Sequence, residues 1–340
     1  MKVLFDHSNP FFLAHGGFQT QIEQTKLALE AVGIEVEFVR WWDDSQWGDA
    51  VHFFGRPALS YVDFTHQKGM AFVLGELLTG LGSRSAPLRF AQKAIMSSAQ
   101  TLLPDDFTAR LGWETYARAD ACIALTPWER RLMVEMFSAP SDRTYSVPNG
   151  VEEVFLRSAR VQRGQWLVCT ATITERKRPL ELAEAAIEAR TPLWLIGRSY
   201  AAADPYADRF LRLAKANPSL IRYEGGISDR AQLAEIYRQA RGFVLLSTME
   251  SLSLSALEAA ACECPLLLSD LPWARYSFGA TVSYCPVPSP GHRTAAVLRR
   301  FYDEAPKLPV PPKPKSWVEV AGLIRSVYEA ALLRNQANPS

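Results

Sequence analysis

Residues 242–270, GFVLLSTMESLSLSALEAAACECPLLLSD, constrain the fold of this chain more than any other segment. Phe243 to Leu246 and Leu266 to Leu268 are short apolar runs without alternation, as strands covered on both faces should be. Between them lie a polar loop, TMESLS, and a short helical segment. Strand, loop, helix, strand of this kind implies a parallel sheet with crossover helices. A polar loop that leaves the C-terminal end of such a strand and feeds a helix is where open α/β sheets bind phosphorylated ligands. Glu250 lies in the loop and Glu258 in the helix, with seven residues between them.

The same alternation runs through the chain. Val3, Leu4 and Phe5 start a strand, and Phe18, Ile22, Leu29 and Val32 recur at helical spacing up to a stop at Gly33. Strands follow near residues 34–38, 51–54, 70–74 and 121–125, and residues 84–103 read as a helix. VPNG at 147–150 is turn punctuation. The second half continues with strands at 166–170, 193–196 and 221–223 and helices at 205–216 and 229–240. A Pro-rich segment at 305–315, APKLPVPPKPK, precedes a last amphipathic helix from about 316 to 333. Strict alternation in both halves predicts two Rossmann-like domains, 1–153 and 154–304, with 305–340 as linker and terminal helix. The length of 340 residues agrees with two domains at roughly 150 residues each.

Composition excludes several functions. Lys plus Arg number 37 against 36 for Asp plus Glu, so no global field recruits nucleic acid. The start, MKVLFDHSNP, enters a strand pattern without the parts of a secretion signal. No apolar run approaches the roughly 20 residues of a membrane span. Five scattered cysteines among apolar neighbours read as reduced core thiols, which places the expectation in the cytoplasm. Five histidines show no metal-ligand spacing, so no metal and no bound cofactor are expected.

Each candidate residue has a plainer alternative. Gly16-Gly17, between the first strand and the first helix, admits close approach of an anion to backbone N–H groups, or is simply a tight turn. Lys177, in TERKRP, suits a diphosphate, or belongs to a solvated basic loop. Glu250 suits a sugar hydroxyl, or is a solvated loop carboxylate. Glu258 suits a ribose hydroxyl, or closes a capping box that starts at Ser255. Arg198 follows a strand end and faces phosphate, base or solvent. His7 and His52 are read near N-terminal strand ends, where a structural histidine is the commoner case. Residues 84–96, RSAPLRFAQKAIM, suit an anionic lipid surface, the basis for peripheral contact with the inner face of a membrane. The preferred expectation there is an ordinary helix with its apolar face turned to the core.

The run ESLSLSALEAAACECP resembles the EX7E signature of retaining, nucleotide-sugar-dependent glycosyltransferases of group 1, family 4, which have the GT-B fold. HGGF resembles that family's Gly-Gly loop, ALTPWERRLM…SVPNGVEEVF its mid-chain passage, TERKRPLELAEA its phosphate-binding Lys region, and EGGISDRAQLAEIYRQARGFVLLS the lead into the signature. SWVEVAGLIRSVYEA resembles the last helix, which crosses back to the first domain. The resemblance implies two Rossmann-like domains facing across a cleft, the first on the acceptor side and the second holding the donor.

Residue by residue, it implies that Glu250 faces the donor sugar and Glu258 binds the ribose. Lys177 and the Ser253–Leu254 backbone hold the diphosphate. Gly16 and Gly17 approach the same phosphates, and Ile227 lies beside the base. The chain departs from the family pattern at Thr172 (usually Arg), Ser251 and Glu263 (usually Gly). Arg176, Arg178 and Arg198 are candidates to supply the missing cation. The family's fourth-strand His has no clear counterpart, which leaves Glu76 and His52 as acceptor-side candidates. The implied activity is transfer of a sugar from a nucleoside diphosphate to an acceptor hydroxyl with retention. A nucleotide-sugar epimerase and a non-catalytic nucleotide- or protein-binding relative are the alternatives. A nicotinamide dehydrogenase is disfavoured because no GxGxxG opens either domain.

Overall fold

A computed structural model describes residues 1–8, 10–11, 16–157, 161–201 and 203–337. The chain divides into two compact units, Met1–Asn149 with Trp317–Ser340, and Gly150–Ser316.

The first unit is built on six parallel strands: β1 (Lys2–His7), β2 (Glu35–Phe38), β3 (Ala50–Phe54), β4 (Ala71–Gly75), β5 (Ala121–Ala124) and β6 (Thr144–Ser146). Their order is β2-β1-β3-β4-β5-β6. Val3 lies beside Val36 on one side and Ala50 on the other, so β1 is interior. The inner strands are apolar on both faces, as parallel strands covered on both sides require: all five residues of β3 are buried. The helix Gly17–Ala31 buries Gln21, Ile22, Thr25, Ala28 and Leu29, the i, i+1, i+4, i+7, i+8 stripe of a helix seated on a sheet. The helix Trp317–Ala337 buries Trp317, Val320, Ala321, Ile324, Val327, Tyr328 and Ala331 at the same spacing and packs on Gly17–Ala31, β4 and β5. The last element of the sequence is therefore part of the first unit's core.

The second unit repeats the plan with β7 (Leu167–Thr170), β8 (Leu193–Ile196), β9 (Ile221–Tyr223), β10 (Gly242–Leu245), β11 (Leu266–Ser269) and β12 (Ser283–Cys285), all parallel, in the order β12-β11-β10-β7-β8-β9. The chain winds outward from β7 to β9, then returns to the other side of β7 with β10. The order reverses between those two strands, and it is beyond their C-terminal ends that an open α/β sheet places its ligand site. A Cβ on Gly242 would meet the Phe301 ring at 2.7 Å, so only the bare backbone fits at the start of β10. The unit's two ends meet: Val151 N–H donates to the Lys315 carbonyl at 3.0 Å, and Val151 bridges Ser316.

Three expectations need correction. His7 closes the C-terminal end of β1, and His52 sits in the middle of β3, not at N-terminal strand ends. The helix Leu254–Ala261 is capped by Ser253, whose hydroxyl accepts from Ala256 N–H; Ser255 is already helical and Glu258 closes no capping box. In SLSLS three serines, Ser251, Ser253 and Ser255, have equal local merit as caps, and the tertiary path of the loop decides among them. The helix Ala86–Leu102 does not turn an apolar face to the core, since Met96 is its one buried residue. Its apolar side chains stand in solvent instead.

Candidate functional site

Two loops leave the C-terminal ends of the neighbouring strands β7 and β10. After β7 the chain keeps pairing with the end of β8 and the residues beyond it: Ala171 N–H donates to Ile196 O at 3.0 Å and Ile173 N–H to Arg198 O at 3.0 Å. This path exists because residue 197 is glycine. Its φ is +158°, and a Cβ would lie 1.8 Å from the Ala171 carbonyl oxygen. The loop then turns, with Thr174 O accepting from both Lys177 N–H and Arg178 N–H at 3.0 Å. Arg178 takes the left-handed conformation, φ 57°, and Pro179 opens the following helix at its first position. The turn sends Lys177 back over the sheet edge.

The loop after β10 is pinned to this turn. Thr248 N–H donates to Arg176 O at 2.9 Å, and Arg176 Nη1 donates to Met249 O at 3.0 Å. Glu250 is thereby placed on the cations. Lys177 Nζ donates to Glu250 Oε1, and Arg176 Nη1 reaches the same oxygen at 3.3 Å. Glu250 is 9 % exposed and Lys177 13 %. Burial pushes the Glu250 carboxyl up, but Lys177 and Arg176 outweigh it and hold the group below its ordinary range. Lys177 and Glu250 are 73 residues apart in sequence; the strand-order reversal alone makes them neighbours.

Three residues beyond Glu250, Ser253 begins the helix Leu254–Ala261. Its hydroxyl serves Ala256 N–H, and the preceding N–H groups of the first turn have no partner within the helix. Such a terminus favours an anion.

Glu258 points from the same helix to a different neighbourhood. Arg230 Nη2 donates to Glu258 Oε1, Arg230 Nε donates to Glu152 Oε2, and Tyr237 OH donates to Glu258 Oε2 at 3.4 Å. Burial outweighs the attraction of Arg230 here, and the Glu258 carboxyl sits above its ordinary range. Arg198 is exposed beyond β8, and its side chain lies against Gly226, where a Cβ would meet Nε at 3.1 Å. Ile227 follows, half-buried. Sequence reasoning missed Arg230. The Asp229 cap, whose carboxylate accepts from Ala231 and Gln232 N–H, fixes where that helix begins, but nothing local tells which carboxylate Arg230 will meet.

In the first unit, Gly16 has φ 139° and ψ −153° and caps the helix that begins at Gly17; its carbonyl accepts from Thr20 N–H at 3.0 Å and Thr20 Oγ1 at 3.2 Å. His15 of the HGGF segment lies outside the described residues. His52 and Glu76 line one cavity of about 20 Å³, enough for a water molecule. His52 is 2 % exposed, its Nδ1 is 2.7 Å from Tyr328 OH, and burial pushes its pKa down to about 3. It is a neutral core residue under the terminal helix. Glu76 accepts from Tyr116 OH and lies 3.7 Å from Arg56, with burial raising its carboxyl. Among the described residues no group of three or more His, Cys, Asp or Glu is placed to hold a metal ion, and no helix is long and apolar enough to cross a membrane.

Residues 164–299 match the family model described as Glycosyl transferases group 1. No curated protein sequence matches the chain. Among solved structures, the chain is similar to HepE of Anabaena in complex with UDP, at 13% identity and TM-score 0.63, covering 99% of this chain and 98% of that one. It is similar to sucrose-phosphate synthase from Thermosynechococcus elongatus at 18% identity and TM-score 0.60, covering 99% and 94%. The pneumococcal O-GlcNAc transferase GtfA, in complex with UDP and GlcNAc, is similar at 14% identity and TM-score 0.58, covering 84% of this chain and 57% of that one.

Proposed function

We propose that this chain is a group 1 glycosyltransferase, on the family match of residues 164–299 and the fold it shares with solved glycosyltransferases, and that it transfers a sugar, with retention, from a UDP-sugar to an acceptor hydroxyl. The observation that carries this reading is the Lys177–Glu250–Arg176 cluster beside the Ser253-capped helix, at the strand-order reversal of the second unit. One carboxylate shared by two cations leaves the cluster with surplus positive charge. A diphosphate satisfies that surplus, and the open N–H groups of the helix reinforce it. Arg178 adds a buried Nη1 with no hydrogen-bond partner among the described residues, a donor suited to the position that Thr172 leaves without a cation.

In this reading the donor diphosphate takes Lys177 from Glu250, and the freed carboxylate accepts from a hydroxyl of the donor sugar. Glu258, with Arg230 beside it, accepts from the ribose, and Arg198 and Ile227 border the base. The bond between the anomeric carbon and the diphosphate oxygen breaks, and the acceptor oxygen bonds to the same face of that carbon. The acceptor proton passes to the departing phosphate. Catalysis then consists of stabilising charge that develops on the leaving group, a task for Lys177, the arginines and the helix terminus, without a metal ion and without a protein nucleophile.

Thermal denaturation with UDP, GDP and ADP tests the donor. UDP is expected to raise the melting temperature by mass action, and Lys177→Ala to weaken UDP at least about 10-fold, the value of one charge-assisted contact. A UDP shift that survives unchanged in Lys177→Ala removes the assignment. Incubation with UDP-sugar alone then separates transfer from epimerisation, because an epimerase consumes donor without any acceptor.

A further inference from the structure

Arg230 joins two carboxylates, Glu152 lying 78 residues before it and Glu258 lying 28 residues after it. Its guanidinium is divided between them: Nε donates to Glu152 Oε2 and Nη2 to Glu258 Oε1. The same guanidinium lies 4.7 Å from the Phe155 ring centroid, so an aromatic face holds it as well as the two acids. The segment that carries Glu152 and Phe155 is itself fixed. Arg238 Nη2 donates to Val154 O and, at 3.1 Å, to Arg157 O, and Cys262 Sγ donates to Phe155 O at 3.6 Å. Arg230 and Arg238 share one face of the helix Arg230–Gln239. One helix therefore supplies both the bridging cation and the clamp on its partner.

Glu258 is 6 % exposed, and a carboxylate so placed keeps its charge only with help. Few titratable groups surround it. Arg230 and Tyr237 face it from the helix Arg230–Gln239, Glu152 from the residue before the helix Glu153–Leu156, and Cys262 ends its own helix. The strands β10 and β11 carry no titratable side chain. Burial raises the Tyr237 phenol well above its usual range and the Cys262 thiol to about 12, so both are neutral. The balance at Glu258 is left to one cation that helps and one anion that opposes. Glu152 opposes twice, by its own charge and by occupying part of Arg230. Two acids on one arginine leave a surplus negative charge beside a buried carboxylate, which makes Glu258 sensitive to acid.

We propose that Arg230 is a positioning residue for the donor ribose, and that the division of its guanidinium between Glu258 and Glu152 sets the lowest pH at which the nucleotide is held through its ribose hydroxyls. The proposal rests on the reading of Glu258 as the ribose acceptor. An ionised carboxylate offers only acceptor positions to a pair of hydroxyls, and a protonated one gives up one of them. Removing Arg230 and removing the charge of Glu152 therefore act in opposite directions.

Calorimetric titration of the full chain with UDP, from about pH 8 down to about pH 4.5, tests this. In Arg230→Gln the fall in affinity towards acid is expected at least about one pH unit higher than in the parent, a loss of about 10-fold at the acid end. In Glu152→Gln the fall is expected at lower pH than in the parent, and this shift tests the proposal even where Arg230→Gln does not fold. Arg230→Lys keeps a charge beside Glu258 and should return most of the way to the parent. The titration of the diphosphate itself is common to all four chains. The 2′,3′-dideoxy analogue of UDP lacks both hydroxyls and should bind all four with one pH profile. Parallel UDP profiles in the parent, Arg230→Gln and Glu152→Gln overturn the proposal and leave the donor reading standing. Shifts that persist with the dideoxy nucleotide overturn it too, and make the bridge structural. Failure of the parent to bind UDP at any pH removes the donor reading itself, and the proposal with it.

Discussion

Burial raises the carboxyl of both Glu250 and Glu258, yet the two end on opposite sides of the ordinary range. Glu250 faces two cations and stays ionised, while Glu258 shares one arginine with Glu152. Their shared signature spacing is legible in the sequence. Their electrostatics are not, because every partner comes from another loop or helix. His52 is a second case of environment overruling residue type. Its imidazole takes a proton near 6.5 in the unfolded chain but only near 3 in the folded one, because burial disfavours the cation. Its contribution is complete above pH 6.5 and declines as pH falls from there toward 3. The parent is expected to lose about 1–2 kcal/mol more stability between pH 7 and pH 5 than His52→Gln, which has nothing to titrate there. Urea unfolding at the two pH values measures this, and parallel losses in parent and variant would contradict the assignment.

Elements were easier to read than their ends. Parallel strands buried on both faces announce themselves as short apolar runs, and β7 to β11 fall where the sequence places strands, whereas β12, SYC with only Cys285 buried, gives no such run and was missed. The helices Leu59–Gln67 and Gly291–Glu304 escaped detection, the first because it buries only Val62 and Thr65. The exposed face of Ala86–Leu102 was hidden for another reason: a stripe of apolar residues looks the same in sequence whether it meets a core or stands in solvent. Glycine carries the sharpest element-level demand. At Gly197 an added methyl would lie 1.8 Å from the carbonyl oxygen of Ala171, the residue just after β7. Gly197→Ala should cost about 3 kcal/mol or more, moving the loop that carries Lys177 as well. A melting temperature within a degree or two of the parent would show that the loop can take another path.

At the scale of the molecule, one unit is continuous in sequence and the other is not. Gly150–Ser316 holds all six strands of its sheet and closes on itself through Val151 and Lys315. The first unit draws its sheet from Met1–Asn149 and its covering helix from Trp317–Ala337. A fragment of residues 150–316 is therefore expected to fold cooperatively alone. A fragment of residues 1–149 should not, with Val73, Phe54 and His52 uncovered. Circular dichroism melts of the two fragments decide this, and a cooperative melt of 1–149 would show that the helix is dispensable.

The discontinuity also imposes an order on synthesis. A ribosome finishes the N-terminal sheet early but cannot supply its covering helix until nearly two hundred further residues are made, a wait of about 10–40 s at ordinary elongation rates. During that interval the nascent sheet has an uncovered apolar face, while the part made later is free to complete itself first. The half that begins the chain is the last to mature, and the window in which it needs shelter is set by translation speed.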